Sequence, residues 1–93
     1  MMVLVVYDIC VESKDGAARL RKAAKQCLAW GRRVQNSVYE CEIDADQYRA
    51  LKQKLERLIS PDTDSVRFYR LGNHFESRIE SIGLASQPVS YVL

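Results

Sequence analysis

Cysteine is scarce and badly spaced for a staple: Cys10, Cys27 and Cys41 are odd in number, and no C-x-x-C pair occurs. That argues against a disulfide framework and a zinc site, and for reduced thiols in a cytoplasmic protein. Histidine is scarcer still, with His74 alone, and its position marks a surface or turn residue rather than a general base. Charge of one sign is also lacking. Fourteen basic against twelve acidic residues leave a net charge of +2, so overall charge does not announce a polyanion binder, and charge distribution must carry any such role. No apolar run approaches the ~20 residues of a membrane span, and no basic segment precedes the apolar N-terminus. Neither a signal peptide nor an anchor is expected. Repeats, low-complexity tracts and domain linkers are missing. What remains is one small domain, with 47% hydrophobic residues to build a core and a size at which a second copy would help.

The chain opens on Met1-Met2-Val3-Leu4-Val5-Val6-Tyr7-Asp8. This run is rich in β-branched residues and too short for an independent helix, so it reads as a buried strand delivering a carboxylate to its C-terminal end. A polar stretch, Glu12 to Gly16, breaks the strand and offers Ser13 or Asp15 as a helix cap. From Ala17 to Trp30, the residues Ala17, Leu20, Ala24, Cys27 and Leu28 form the predicted apolar stripe, with Arg21, Lys22 and Lys25 outside it. Gly31 is placed at C′, and Arg32 and Arg33 extend the basic outer face beyond the helix.

Residues 34–43 hold two short strands separated near Gln35-Asn36-Ser37. In the second, Tyr39, Cys41 and Ile43 alternate with Val38, Glu40 and Glu42, the pattern of a strand covered on one side. Asp44-x-x-Gln47 resembles a capping box for a second helix whose core stripe is Tyr48, Leu51, Leu55, Leu58 and Ile59, ended by Ser60-Pro61. After a turn at residues 61–64, Ser65 to Leu71 forms a fourth strand. The order βαββαβ, with right-handed crossovers, gives an α+β ferredoxin-like domain over residues 1–83, with both helices on one sheet face and the first strand inside the sheet. The first strand is apolar at consecutive positions, whereas the helices cover one face only. A homodimer packed through the open sheet faces follows. Arg78 to Gly83 and Val89 to Leu93 are β-prone, and the extension at 84–93 is expected to add a C-terminal strand to its own or a partner's sheet edge.

Four segments carry a resemblance: Tyr7-Asp8-Ile9, Arg19-Leu20-Arg21-Lys22, Gly31-Arg32-Arg33-Val34-Gln35-Asn36-Ser37-Val38-Tyr39-Glu40-Cys41, and Tyr69-Arg70-Leu71-Gly72-Asn73. Together they resemble the CRISPR-associated protein 2 family, and most closely its type I-C version. The resemblance implies a ferredoxin-like homodimer in the spacer-acquisition machinery that bridges the CRISPR-associated integrase and helps hold duplex DNA. It also implies a metal-dependent endonuclease acting on single-stranded RNA or double-stranded DNA, in which Asp8 matches the metal-binding aspartate. The same carboxylate, read without the resemblance, is a loop or cap residue more often than a catalytic one.

Magnesium (or manganese) wants several oxygen ligands, so a twofold axis bringing together Asp8 of each subunit would make a better site than one carboxylate. Arg19, Arg32 and Arg33 are candidate phosphate contacts, since guanidinium donors bind phosphate bidentately. Ser37 is either a further phosphate contact or a turn cap. A non-catalytic scaffold with the same fold, a toxin-like small ribonuclease and a general RNA-binding module are the competing readings, the last weakened by the absence of an RNP1-like sequence.

Overall fold

The computed structural model describes residues 1–83. Its elements run β1 (Met2–Asp8), α1 (Gly16–Trp30), β2 (Arg32–Gln35), β3 (Val38–Glu42), α2 (Ala45–Leu58) and β4 (Ser65–Gly72), followed by a 3-10 turn at Glu76–Arg78. The strands form one sheet in the order β2-β3-β1-β4, every neighbouring pair antiparallel. This is the expected α+β ferredoxin-like topology, with β1 inside the sheet.

Alternation along β1 divides its side chains between two environments. Val3, Val5 and Tyr7 are buried with Ile9 beneath the helices, while Leu4 and Val6 on the other face are half-buried and Asp8 is exposed. On β3, Tyr39 and Cys41 are buried, and Val38, Glu40 and Glu42 are not, as the alternation requires. The core closes on Ala23 and Cys27 from α1 and Leu51 and Leu55 from α2. Burial pushes the Cys27 thiol up to about 12, with nearby Cys41 adding to the effect, and it pushes Cys41 up to about 11. Both thiols therefore stay protonated and behave as small apolar side chains.

The two helices begin differently. For α2, the Asp44 carboxylate accepts from the Gln47 amide at 2.7 Å and the Gln47 side chain accepts from the Asp44 amide at 3.0 Å, completing the capping box. For α1, Asp15 sits at the N-cap with φ 61° and its side chain makes no capping bond. The expected cap is thus replaced by tertiary contacts. Gly16 is buried so tightly that a Cβ there would collide with the Cys10 carbonyl and Val11 backbone, which brings the loop after β1 against the helix start.

Three local expectations are corrected by packing. The buried stripe of α1 is centred on Ala23 and Cys27, flanked by Leu20, Ala24 and Trp30, so Ala17 is exposed and Leu28 is 51% exposed. Gly31 is the C-cap in extended backbone rather than a left-handed C′ residue. Its role is clearance, because a Cβ would run into the Glu40 carbonyl and the Cys41 sulfur of β3. Arg32 and Arg33 do not extend the helix face, since they begin β2 and their side chains leave on opposite sides of the sheet.

After β4 the chain makes no further strand among the described residues. Beyond the 3-10 turn, Ile79 and Ser81 face Val34 and Val38 across a groove of about 320 Å3. The segment expected to be extended and β-paired at 78–83 therefore lies beside the β2–β3 end of the open sheet face, and Val89 to Leu93 fall outside the described residues. Leu4, Val6, Asp8 and the 45%-exposed Tyr69 remain on the uncovered part.

This packing sets three stability outcomes, measured by urea unfolding. Leu55→Ala should lose about 2–5 kcal/mol and Leu28→Ala less than about 0.5 kcal/mol, whereas a core stripe through Leu28 would demand similar losses. Gly31→Ala should lose about 1–3 kcal/mol through forced strand displacement.

Candidate metal and nucleic-acid site

Asp8 stands at the C-terminal end of β1, opposite Ser65 at the start of β4. It is exposed and shares the open sheet face with Leu4 and Val6. Among the described residues no group of three acidic, histidine or cysteine side chains lies close enough to hold a metal ion. The described part of one chain thus holds no ready-made three-ligand cage around Asp8. A lone carboxylate is a hard oxygen donor, of the kind that magnesium or manganese takes along with waters, phosphate oxygens or a further carboxylate.

The arginines have separate fates. Arg32 leaves on the open face and donates to Glu40 at 3.0 Å while its side chain stays 55% exposed. Its register position is level with Glu40 and Leu4, two strands across and four residues back from Asp8, or roughly 15 Å away. Held on Glu40, Arg32 stands apart from Asp8 within one chain. Arg33 leaves on the helix side, where its Nε donates to the Tyr39 hydroxyl at 3.0 Å and its guanidinium lies 5.4 Å from the Tyr39 ring centroid. The Tyr7 and Tyr39 hydroxyls are 3.0 Å apart in the same buried cluster, and burial, reinforced by that bond, pushes the Tyr7 phenol upward. Tyr7 is therefore a packing residue with a satisfied polar end.

Ser37 lies in the β2–β3 turn, and its backbone carbonyl accepts from the Tyr7 amide at 3.1 Å, which ties the turn to β1. Ser37 and Arg33 line one side of a groove of about 450 Å3, and Leu20, Arg21 and Ala24 of α1 line the other. Neither Arg21 nor Arg33 is in an ion pair among the described residues, and no carboxylate lines the groove. It is an apolar-walled cleft with positive rims, suited to an anionic ligand.

Arg19 departs most from the expected role. Its Nε donates to Asp64 Oδ2 at 2.8 Å, its Nη2 to Ser13 Oγ at 2.6 Å and Asp64 Oδ1 at 3.3 Å, and its Nη1 to the Lys14 carbonyl at 2.6 Å. The guanidinium is turned into the fold rather than toward solvent. Its partner Asp64 has a side chain with no exposed surface and also accepts from the Cys10 amide, the Ser60 amide and the Thr63 hydroxyl, each at 3.0 Å. Arg19 first, with those donors, outweighs burial and holds the Asp64 carboxyl well below the usual carboxylate range. Asp64 had no sequence signal beyond a turn acid ahead of a strand. Its importance appears only when the antiparallel register sets that strand beside Asp8.

A carboxyl depressed in the folded state contributes stability above its unfolded pKa of ~3.9, and the contribution is lost as pH falls toward the folded value. Asp64→Asn should therefore lower the thermal midpoint at pH 7 by about 12 °C or more, the cost of breaking a buried pair. The gap from wild type should narrow steadily below about pH 4. Thermal unfolding followed by circular dichroism from pH 7 to 2 checks both.

Residues 1–79 match the family model described as CRISPR associated protein Cas2. The chain is similar to a CRISPR-associated endonuclease Cas2 of Halalkalibacterium halodurans, 49% identical over 89% of this chain and 86% of the relative. It is also similar to a CRISPR-associated endoribonuclease Cas2 of Chlorobaculum tepidum, 46% identical over 95% of this chain and 91% of that one. Among solved structures, Streptococcus pyogenes Cas2 at pH 6.5 superimposes with a TM-score of 0.77 at 46% identity, covering 89% of this chain and all of the other, 100%. A match spanning strand, helix and sheet order, at this identity, leaves one assignment: the chain belongs to the CRISPR-associated Cas2 family.

Proposed function

We propose that the protein is a homodimeric nucleic-acid-binding component of CRISPR adaptation, with metal-dependent phosphodiester hydrolysis at a site shared between two Asp8 carboxylates. The observation that carries this reading is the position of Asp8, exposed at the end of the central strand and on the same open face as half-buried Leu4 and Val6. A second copy covering that apolar patch supplies a second Asp8. Dimerisation and metal binding then become one event. Magnesium or manganese bound there would lend positive charge to a phosphate undergoing cleavage. The chain's own part is to hold the two carboxylates at a fixed separation and to seat the nucleic-acid backbone on exposed Arg32 and on the cleft rimmed by Arg21 and Arg33.

The relatives' names, endonuclease and endoribonuclease, support nuclease activity with duplex DNA or single-stranded RNA as substrate. The CRISPR-associated integrase is the protein partner, and the cytoplasm is the compartment. No helix among the described residues is long and apolar enough to cross a membrane. A second reading, a scaffold without chemistry, fits a chain whose described residues hold no cluster of three or more metal-ligating side chains.

Two outcomes test the proposal. Wild type should cleave single-stranded RNA or duplex DNA with magnesium and not with chelator, and Asp8→Ala should abolish cleavage while still binding nucleic acid. Equal cleavage by wild type and Asp8→Ala in chelator would identify a contaminant and refute the site, whereas no cleavage with intact integrase binding would establish the scaffold. In sedimentation, wild type should run as a dimer at micromolar concentration, and Val6→Lys should run as a monomer lacking all Asp8-dependent cleavage. A monomeric wild type would overturn the shared site.

A further inference from the structure

Asp8 ends β1, and the groups that fix the direction of that end lie on other elements. The amide of Cys10, two residues beyond Asp8, donates to Asp64 Oδ1 at 3.0 Å. Asp64 in turn immediately precedes Ser65, the residue that faces Asp8 across the sheet. One buried carboxylate therefore anchors the end of β1 that carries Asp8 and the start of β4 that faces it. The Ser60 amide and the Thr63 hydroxyl bind the same carboxylate and fix the chain arriving from α2. From α1, Arg19 grips both Asp64 oxygens and reaches on to Ser13 Oγ, which itself donates to the Cys10 carbonyl at 2.6 Å. The loop between β1 and α1 is thus closed from both sides, and Gly16 leaves it no room to move toward the helix.

We infer that Asp64 and Arg19 are positioning residues for Asp8, and that Arg19 acts through Asp64 rather than by touching a phosphate. The inference rests on Asp8 being the functional carboxylate proposed above. Every nitrogen of the Arg19 guanidinium is engaged by Asp64, Ser13 or Lys14, and its side chain is 14% exposed. Four of its five N–H donors are spent in this way, so without dismantling the clamp a phosphate could claim no more than the remaining Nη1 N–H. Groups bonded directly to a metal ligand typically alter activity or metal affinity by about 10- to 100-fold without contacting substrate, and Asp64, which acts through the backbone on either side of Asp8, belongs at the low end of that range.

Arg19→Gln, Arg19→Lys, Asp64→Asn and the mild Ser13→Ala are the test variants, each first checked for native hydrogen-exchange protection of the α2 amides. Exchange at the Cys10 amide should rise by about tenfold or more in Arg19→Gln. Unchanged Cys10 exchange in Arg19→Gln and Ser13→Ala overturns the inference whether or not the wild type cleaves anything. Nucleic-acid affinity measured against salt separates the two roles of Arg19. A positioning residue leaves the slope of log affinity against log salt as in wild type, whereas a lost phosphate contact reduces it by about 1. Arg19→Lys keeps a charge for phosphate and loses the fork onto Asp64, so it should keep the slope and still lower kcat by about tenfold at unchanged KM. A reduced slope in Arg19→Gln, restored with full kcat in Arg19→Lys, overturns the positioning role. A wild type that does not cleave while Cys10 exchange responds as described refutes the nuclease reading and leaves the clamp standing.

Discussion

A carboxylate removed from water must be fully hydrogen-bonded or surrender its charge, and Asp64 meets that requirement by gathering donors from four parts of the chain. Two come from the Arg19 guanidinium, and the others come from Cys10, Ser60 and Thr63. The end of β1, the start of α1, the exit of α2 and the start of β4 all converge on it. Because the Asp64 side chain has no exposed surface, a shift of any one of these segments would cost it a hydrogen bond. The end of β1 that carries Asp8 is tied to the rest of the fold through an acid that never reaches that surface.

A second constraint acts along β1. Its Val3, Val5 and Tyr7 row is consumed by the helices, while the Leu4 and Val6 row faces outward beside Asp8. Part of the open face lies beside the chain's own segment at residues 79–81, so the uncovered apolar area narrows toward the Asp8 end. An interface formed there and a carboxylate pair would be inseparable, and the proposed chemistry is in that sense a property of the dimer.

The charges are divided by the sheet as well. Arg32 and Arg33 are adjacent in sequence, yet strand alternation sends one to Glu40 on the open face and the other to Tyr39 under the helices. Arg33 then meets Arg21 of α1 across a cleft without carboxylates. A modest net charge of +2 thus coexists with a locally positive cleft, because acids and bases are sorted by faces rather than by number.

The order of elements was legible from local pattern alone. Alternation at Tyr39 and Cys41, the Asp44–Gln47 capping box and the Leu51–Leu55 stripe are each governed by neighbours within about one turn or one strand, so sequence periodicity determines them. The α1 stripe was less legible, since a helix of small residues can rotate to let Ala23 and Cys27 meet the sheet and leave Leu28 in solvent. Asp8 could be singled out because it terminates an apolar run, and Arg19, Arg32 and Arg33 because of their charge. Charge does not say what is already paired. Asp64 and Arg19 are 45 positions apart, and only chain closure around the sheet decides that the arginine is spent on a buried acid. The sequence by itself determined the βαββαβ order and the two-faced central strand, since both follow from short-range periodicity. Tertiary structure alone decided which charged groups remain free for a ligand, because long-range pairing depends on register and burial that no local pattern contains.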